Sequence, residues 1–182
     1  MENSQYKTIV VNLFAGPGAG KSTGAAYIFA KLKMLGIDAE LVTEFAKDLV
    51  WENNRDGINN QLYVFGTQSF RMSRCRGKVL VIVTDSPLII NGLYCKRTET
   101  YYELLQKIVL EEWNKYDNHN YFVRRLKPYN SNGRLQNETE AVEIDNTILD
   151  SLETNQIEYT IIDGIQQGYD FIVENILKVI NK

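Results

Sequence analysis

Apolar and polar positions along this chain follow two alternating periods. Residues 8–14 read T-I-V-V-N-L-F, a β-branched and nearly unbroken apolar run that stops at a glycine-rich turn, the pattern of a buried strand. Over 21–35 the period lengthens to that of a helix, and Gly36 stands where a helix C′ glycine is expected. Residues 39–43 predict a second short strand, and 45–51 and 60–76 predict helices. The run V-L-V-I-V-T at 79–84 is apolar at nearly every position, as a sheet covered on both faces requires. Thr100 and Glu103 have the spacing of a capping box, ahead of a helical stripe of Leu104, Leu105, Ile108 and Val109. Residues 121–123 predict a strand. Asn137 and Glu140 make a second capping pair, with Ala141, Ile144, Ile148 and Leu152 on one helical face beyond it. Residues 159–162 predict the last strand and 170–180 the last helix. Strands alternating with helices of this length imply right-handed βαβ units, a parallel sheet and an α/β fold of three layers.

Composition narrows this only a little. A chain of 182 residues, 44% apolar and 24% charged, fits one globular domain over 1–182. A net charge of −3 argues against a broad nucleic-acid-binding surface. Cys75 and Cys95 are too few for a disulfide framework, and His119 alone gives zinc no ligand set. The first residues, M-E-N-S-Q, lack the basic and apolar regions of a signal peptide, and no apolar run approaches the roughly 18 residues of a membrane span. The expectation is a soluble, cytoplasmic protein.

The strongest chemical signal is Ala15-Gly16-Pro17-Gly18-Ala19-Gly20-Lys21-Ser22-Thr23. Glycines let successive backbone N–H groups converge on an anion, and the helix opening at Lys21 adds its positive end. Lys21 brings a point charge to the β and γ phosphates of ATP or GTP, and the Ser22 hydroxyl is placed to ligate Mg²⁺. The general pattern G-x-x-x-x-G-K-[ST] wants glycine where Ala15 stands, with Gly16 beside it; alanine serves there if its φ stays negative.

Other residues act with that loop. Asp85 ends the most apolar strand and projects at the carboxyl edge of the sheet, where ligands of open α/β sheets bind; it is a magnesium carboxylate, a base, or the anchor of a turn in which Ser86-Pro87 opens a helix. Glu44 follows the second strand and either takes the proton of an attacking hydroxyl or complements a helix dipole. Gln61, Gln68, Arg71 and Arg74 fall on one face of the 60–76 helix, where Gln68 and Arg71 suit a substrate's base, sugar or phosphate; a solvated face is the plainer reading. Arg124, Arg125, Lys127 and Arg134 surround turn residues Pro128 and Asn132-Gly133 between a strand and a capped helix. Arginines there, over about 124–137, predict a short lid closing on a transferring phosphoryl group. Tyr63, Tyr94 and Tyr129 are candidates for stacking on a base.

With these residues in view, the chain resembles the P-loop nucleoside and nucleotide kinases, and more narrowly the ribosylnicotinamide-kinase-like ATPases, many of them small and phage-encoded. The resemblance is carried by G-P-G-A-G-K-S-T, by Thr43-Glu44-Phe45-Ala46, by Gln68-x-x-Arg71, by Thr84-Asp85-Ser86-Pro87-Leu88, and by 124–134 with the acidic helix after it. It implies a five-stranded parallel sheet, ATP as donor, and a nucleoside-like or nucleotide-like acceptor between the helices after the second and third strands. The setting would be the host cytoplasm if the chain is phage-encoded. The expected activity is phosphoryl transfer to a nucleoside, nicotinamide riboside or a nucleoside monophosphate. Lys21, Arg124, Arg125 and Arg134 would balance charge, and Glu44 or Asp85 would orient the hydroxyl. The alternative is a nucleotide-dependent switch acting on a protein partner. Asn114-Lys115-Tyr116-Asp117 fits the letters of a guanine-reading segment, but it follows a predicted helix rather than a strand and reads as a chance match. The oligomeric state is left open, with a homodimer among the choices.

Overall fold

The computed structural model describes residues 7–126 and 137–181. Five parallel strands form one sheet: β1 (Ile9–Phe14), β2 (Ala39–Val42), β3 (Val81–Thr84), β4 (Asp117–Arg124) and β5 (Thr160–Asp163), in the order β2-β3-β1-β4-β5. The helices among the described residues are α1 (Lys21–Met34), α2 (Phe45–Trp51), α3 (Arg55–Asn59), α4 (Gln61–Ser73), α5 (Asn91–Tyr94), α6 (Tyr102–Trp113), α7 (Glu138–Thr154) and α8 (Gln166–Ile180), with a 3₁₀ turn at Leu88–Ile90.

β1 is the centre of the sheet, and all six of its residues are buried. On one face Val11, Leu13, Val81, Val83 and Val123 pack under α1 and α8. On the other, Val10, Phe14, Ile82 and Phe122 pack under α4, α6 and α7. This is the three-layer α/β arrangement the apolar runs predict. A smaller cluster of Phe45, Leu49 and Val64 joins α2 to α4 beyond the end of β2. β5 is an edge strand, and Ile161 is half exposed. Among the described residues no helix is long and apolar enough to cross a membrane.

Several expectations are corrected. Helix α4 falls inside the expected 60–76, with Asn60 capping it through Tyr63 N–H, but the short α3 just before it was not expected. Thr100 and Glu103 form no capping box, since α6 starts after Tyr101 without a side-chain cap. Its buried stripe is Leu105, Val109 and Trp113, while Leu104 and Ile108 face outward. Ser86-Pro87 does not open a helix: the Ser86 N–H donates to Thr84 Oγ1 and a 3₁₀ turn follows Pro87. β4 is longer than its apolar part, because Asn118 and Asn120 continue the ladder as half-buried amides that accept from Asn12 Nδ2. The second capping box, Asn137 with Glu140, is present in full. Gly36 has φ +78°, as a C′ glycine requires. Asn114-Lys115-Tyr116-Asp117 leads into the start of β4, at the amino edge of the sheet and opposite the phosphate loop.

Candidate functional site

The sheet order reverses beside β1, and the loop leaving its carboxyl end opens into a crevice formed with the ends of β2 and β3. Residues 15–20 wrap the start of α1. Gly20, the N-cap, has φ +103°, a backbone angle that side-chain-bearing residues rarely adopt. α1 has no side-chain cap and no acid in its first turn, so its leading N–H groups are left for an anion. Ala15 is absent from the residues with positive φ, which is how alanine replaces the usual glycine. Gly16 is required for a different reason: a Cβ there would collide with the Ala141 carbonyl of α7.

Lys21 reaches back along the loop, donating to Ala15 O (2.7 Å) and Gly16 O (3.0 Å). Burial pushes its ammonium pKa down, against the pull of Glu44, Asp85 and Asp145. Asp85 is 3% exposed and accepts from the Glu44 N–H at 3.1 Å. Asp85 thus anchors the β2–α2 turn rather than the Ser86-Pro87 turn, and it also lines the cavity. Glu44 is the N-cap residue of α2, yet its carboxylate makes no capping bond. Burial pushes that carboxyl up, Lys21 works against the rise, and Asp85 adds to it. A carboxyl whose proton affinity is raised by its surroundings is a stronger proton acceptor than an ordinary carboxylate.

Lys21, Ser22, Thr23, Glu44 and Asp85 share one cavity of about 330 Å³. Its far wall is apolar, with Ala46, Val50, Ile58, Val64 and Ile90, and is edged by Lys47, Gln61, Asn91 and Tyr94. The Tyr94 phenol is pushed up to about 12 by burial and then by Glu44 and Asp145. Among the described residues, the cations lining this space are Lys21 and Lys47.

The remaining candidates divide. Gln68 lines the cavity, but both ends of its amide hold the β2–α2 turn: Oε1 accepts from Phe45 N–H (2.9 Å) and Nε2 donates to Thr43 O (3.3 Å). Arg71 is not part of the lining; it pairs with Asp48 at 2.6 Å and stacks on the Phe45 ring. Arg124 is exposed and pairs with Asp163 across the β4–β5 ends. Arg125 is drawn to the phosphate loop, where its guanidinium donates to Pro17 O and to Asp145 Oδ2 (2.7 Å). Tyr63 is half exposed and meets Phe45 edge-on. Arg134 and Tyr129, with 127–136 of the expected lid, lie outside the described residues.

Sequence reading missed Asp145 and Tyr169. Asp145 takes the Gly16 N–H, and the Tyr169 hydroxyl donates to Gly20 O at 3.1 Å. Asp145 carried a usable signal: it shares a helical face with Ala141, Ile148 and Leu152, where a charge needs a partner.

Strand order, loop and crevice together define a P-loop nucleotide-binding protein with the fold of the nucleoside and nucleotide kinases. The chain belongs to the family described as "AAA domain", whose model matches residues 10–167. The structure is similar to a thymidylate kinase from Ehrlichia chaffeensis, with a TM-score of 0.60 and 11% identity over 97% of this chain and 100% of that one. It is also similar to the NadR protein solved in complex with NR, with a TM-score of 0.67 and 13% identity. That match covers 96% of this chain and 52% of NadR, so the chain spans about half of that protein's length. No curated protein matches the chain in sequence.

Proposed function

We propose that this protein transfers the γ-phosphoryl group of ATP to the hydroxyl of a small, nucleoside-like acceptor. The observation that carries this reading is the shared cavity, which the phosphate loop and Lys21 line together with the carboxylates of Glu44 and Asp85 and with apolar Ala46, Val50, Ile58, Val64 and Ile90.

The residues fit a magnesium nucleotide. The glycine cradle and the uncapped α1 N–H groups suit its phosphates, and Ser22 with Asp85 offers hard oxygen ligands of the kind magnesium prefers. When bound, the metal nucleotide supplies an activated phosphoryl group. Lys21 would release the Ala15 and Gly16 carbonyls to balance phosphate charge, and Asp85 would hold the Glu44 backbone in place. Glu44 would accept the acceptor's hydroxyl proton as the oxygen attacks phosphorus. Ala46, Val50 and Ile58 would shelter the acceptor's flat face. Among the described residues the lining favours a neutral nucleoside over a monophosphate, because its cations Lys21 and Lys47 share the cavity with Glu44 and Asp85, and Arg71 is tied to Asp48 outside it.

The test is incubation with Mg·ATP and a panel of nucleosides, nicotinamide riboside, nucleoside monophosphates and a 5′-hydroxyl oligonucleotide, with products followed by mass spectrometry. We expect transfer to a neutral nucleoside, and a fall of at least about a hundredfold in Lys21→Ala. ADP formed in a Lys21-dependent way with no phosphorylated acceptor would replace this reading with the nucleotide-dependent switch.

A further inference from the structure

The two halves of the phosphate loop are held by different parts of the chain. The inner half, toward Gly20, is braced by the Tyr169 hydroxyl of α8 and by Gly164 after β5, whose Cα packs so close to the Ala19 carbonyl that a side chain there would displace it. The outer half, Gly16-Pro17, is braced from α7. The Gly16 N–H donates to Asp145 Oδ1, and Arg125 bridges the Pro17 carbonyl and Asp145 Oδ2. The side chains of Arg125 and Asp145 are 11% and 16% exposed, which makes theirs the most buried ion pair among the described residues. Gly16 is glycine because α7 lies against it at Ala141, so the contact is a fitted joint rather than a chance approach.

A buried ion pair contributes little net stability compared with an apolar pair, so its position needs another explanation. Pro17 has no N–H, and its carbonyl accepts from a cation that a second residue orients. Resting on the nucleotide-binding reading above, we infer that Asp145 is a positioning residue: it fixes the outer half of the phosphate loop and holds Arg125 against it, so that nucleotide affinity depends on a carboxylate in α7. Asp145 and Arg125 act as one unit. Without Asp145 the Arg125 guanidinium loses its carboxylate partner, and without Arg125 the carboxylate loses its cation, so a second removal adds less than the first.

The test uses the full chain, titrated with the fluorescent nucleotide mant-ATP and Mg²⁺, beside thermal melts of the unliganded protein. Asp145→Asn keeps an acceptor for the Gly16 N–H but loses the charge that holds Arg125; Arg125→Gln loses the other half. Each is expected to raise the Kd for mant-ATP about tenfold, or about 1.4 kcal/mol. The double variant Asp145→Asn/Arg125→Gln is expected to stay near tenfold, where independent contributions would give about a hundredfold. In steady state the KM for ATP rises more than kcat falls. A merely structural role would lower the melting temperature and leave the affinity of the folded fraction alone.

A folded Asp145→Asn that binds within twofold of wild type overturns the inference, and so does an additive double variant. Should Asp145→Asn not fold, Arg125→Gln carries the same expectation, and its unchanged affinity has the same force. A wild-type chain that binds no mant-ATP removes the nucleotide reading and this one with it, whereas equal binding by wild type and both variants removes only this one.

Discussion

Glu44 lies where the ionised carboxylate is disfavoured, because burial holds its pKa above the ordinary value of 4.5 and Lys21 offsets only part of the rise. The folded chain therefore keeps this proton to higher pH than the unfolded chain. Stability contributed at acid pH falls as pH rises above 4.5, the reverse of a salt-bridged acid. Glu44→Gln removes that penalty, so its apo protein is expected to melt higher than wild type at pH 7 and close to wild type at pH 4. Phosphoryl transfer should fall by at least about a hundredfold. Thermal melts at both pH values, with product assays alongside, separate the effects, and a Glu44→Gln protein less stable than wild type at pH 7 would contradict this account. Such a trade of stability for a poised group is common where chemistry is done. The same reading applies in part to Lys21, whose ammonium is also disfavoured by burial but is held by two loop carbonyls.

At the scale of elements, the β2–α2 turn that presents Glu44 is clasped from α4. Gln68 is 1% exposed and satisfies Thr43 O and Phe45 N–H, the groups on either side of Glu44. Gln68→Leu leaves both without that partner, at an expected cost of about 1–3 kcal/mol in urea unfolding. Transfer should slow while the Kd for mant-ATP stays within twofold, since the phosphate loop is braced elsewhere; a loss confined to nucleotide affinity would count against the clasp. Sequence pairs Gln68 with Arg71 on one helix face, and that much is correct, but it does not say which backbone lies opposite. The strands, the phosphate loop, the Asn137 box and the placement of Glu44 and Asp85 were legible because each rests on local signals: β-branched runs, glycine turns, capping spacing. The short α3 was not, because five residues with Gly57 at their centre are too few to show a helical period. The polar half of β4 was hidden for another reason, its Asn118 and Asn120 amides being paired with Asn12 across the sheet. Asp145 and Tyr169 belong to contacts made only after folding.

For the whole molecule, the strand order places the crevice over the ends of β1, β3 and β2, so a ligand filling it touches the segments that leave three strands and the helices that follow them. Binding only to the folded chain stabilises it by mass action, by about 2.7 kcal/mol at a hundred times Kd. For a chain of this size that is a rise of roughly 5–10 °C in melting temperature with Mg·ATP, reversed by EDTA. Differential scanning fluorimetry measures it, and an unchanged melt at saturating Mg·ATP would argue against a nucleotide site. The bracing of the phosphate loop also bears on how the molecule comes into being. β1 and its glycine turn leave the ribosome well before their supports, since Gly16 is anchored 129 positions later and Gly20 149 positions later. A nascent chain thus carries the motif for most of its synthesis without carrying the site. The braces on the cradle are complete only when α7 and α8 have emerged, so the loop gains its native supports late in synthesis.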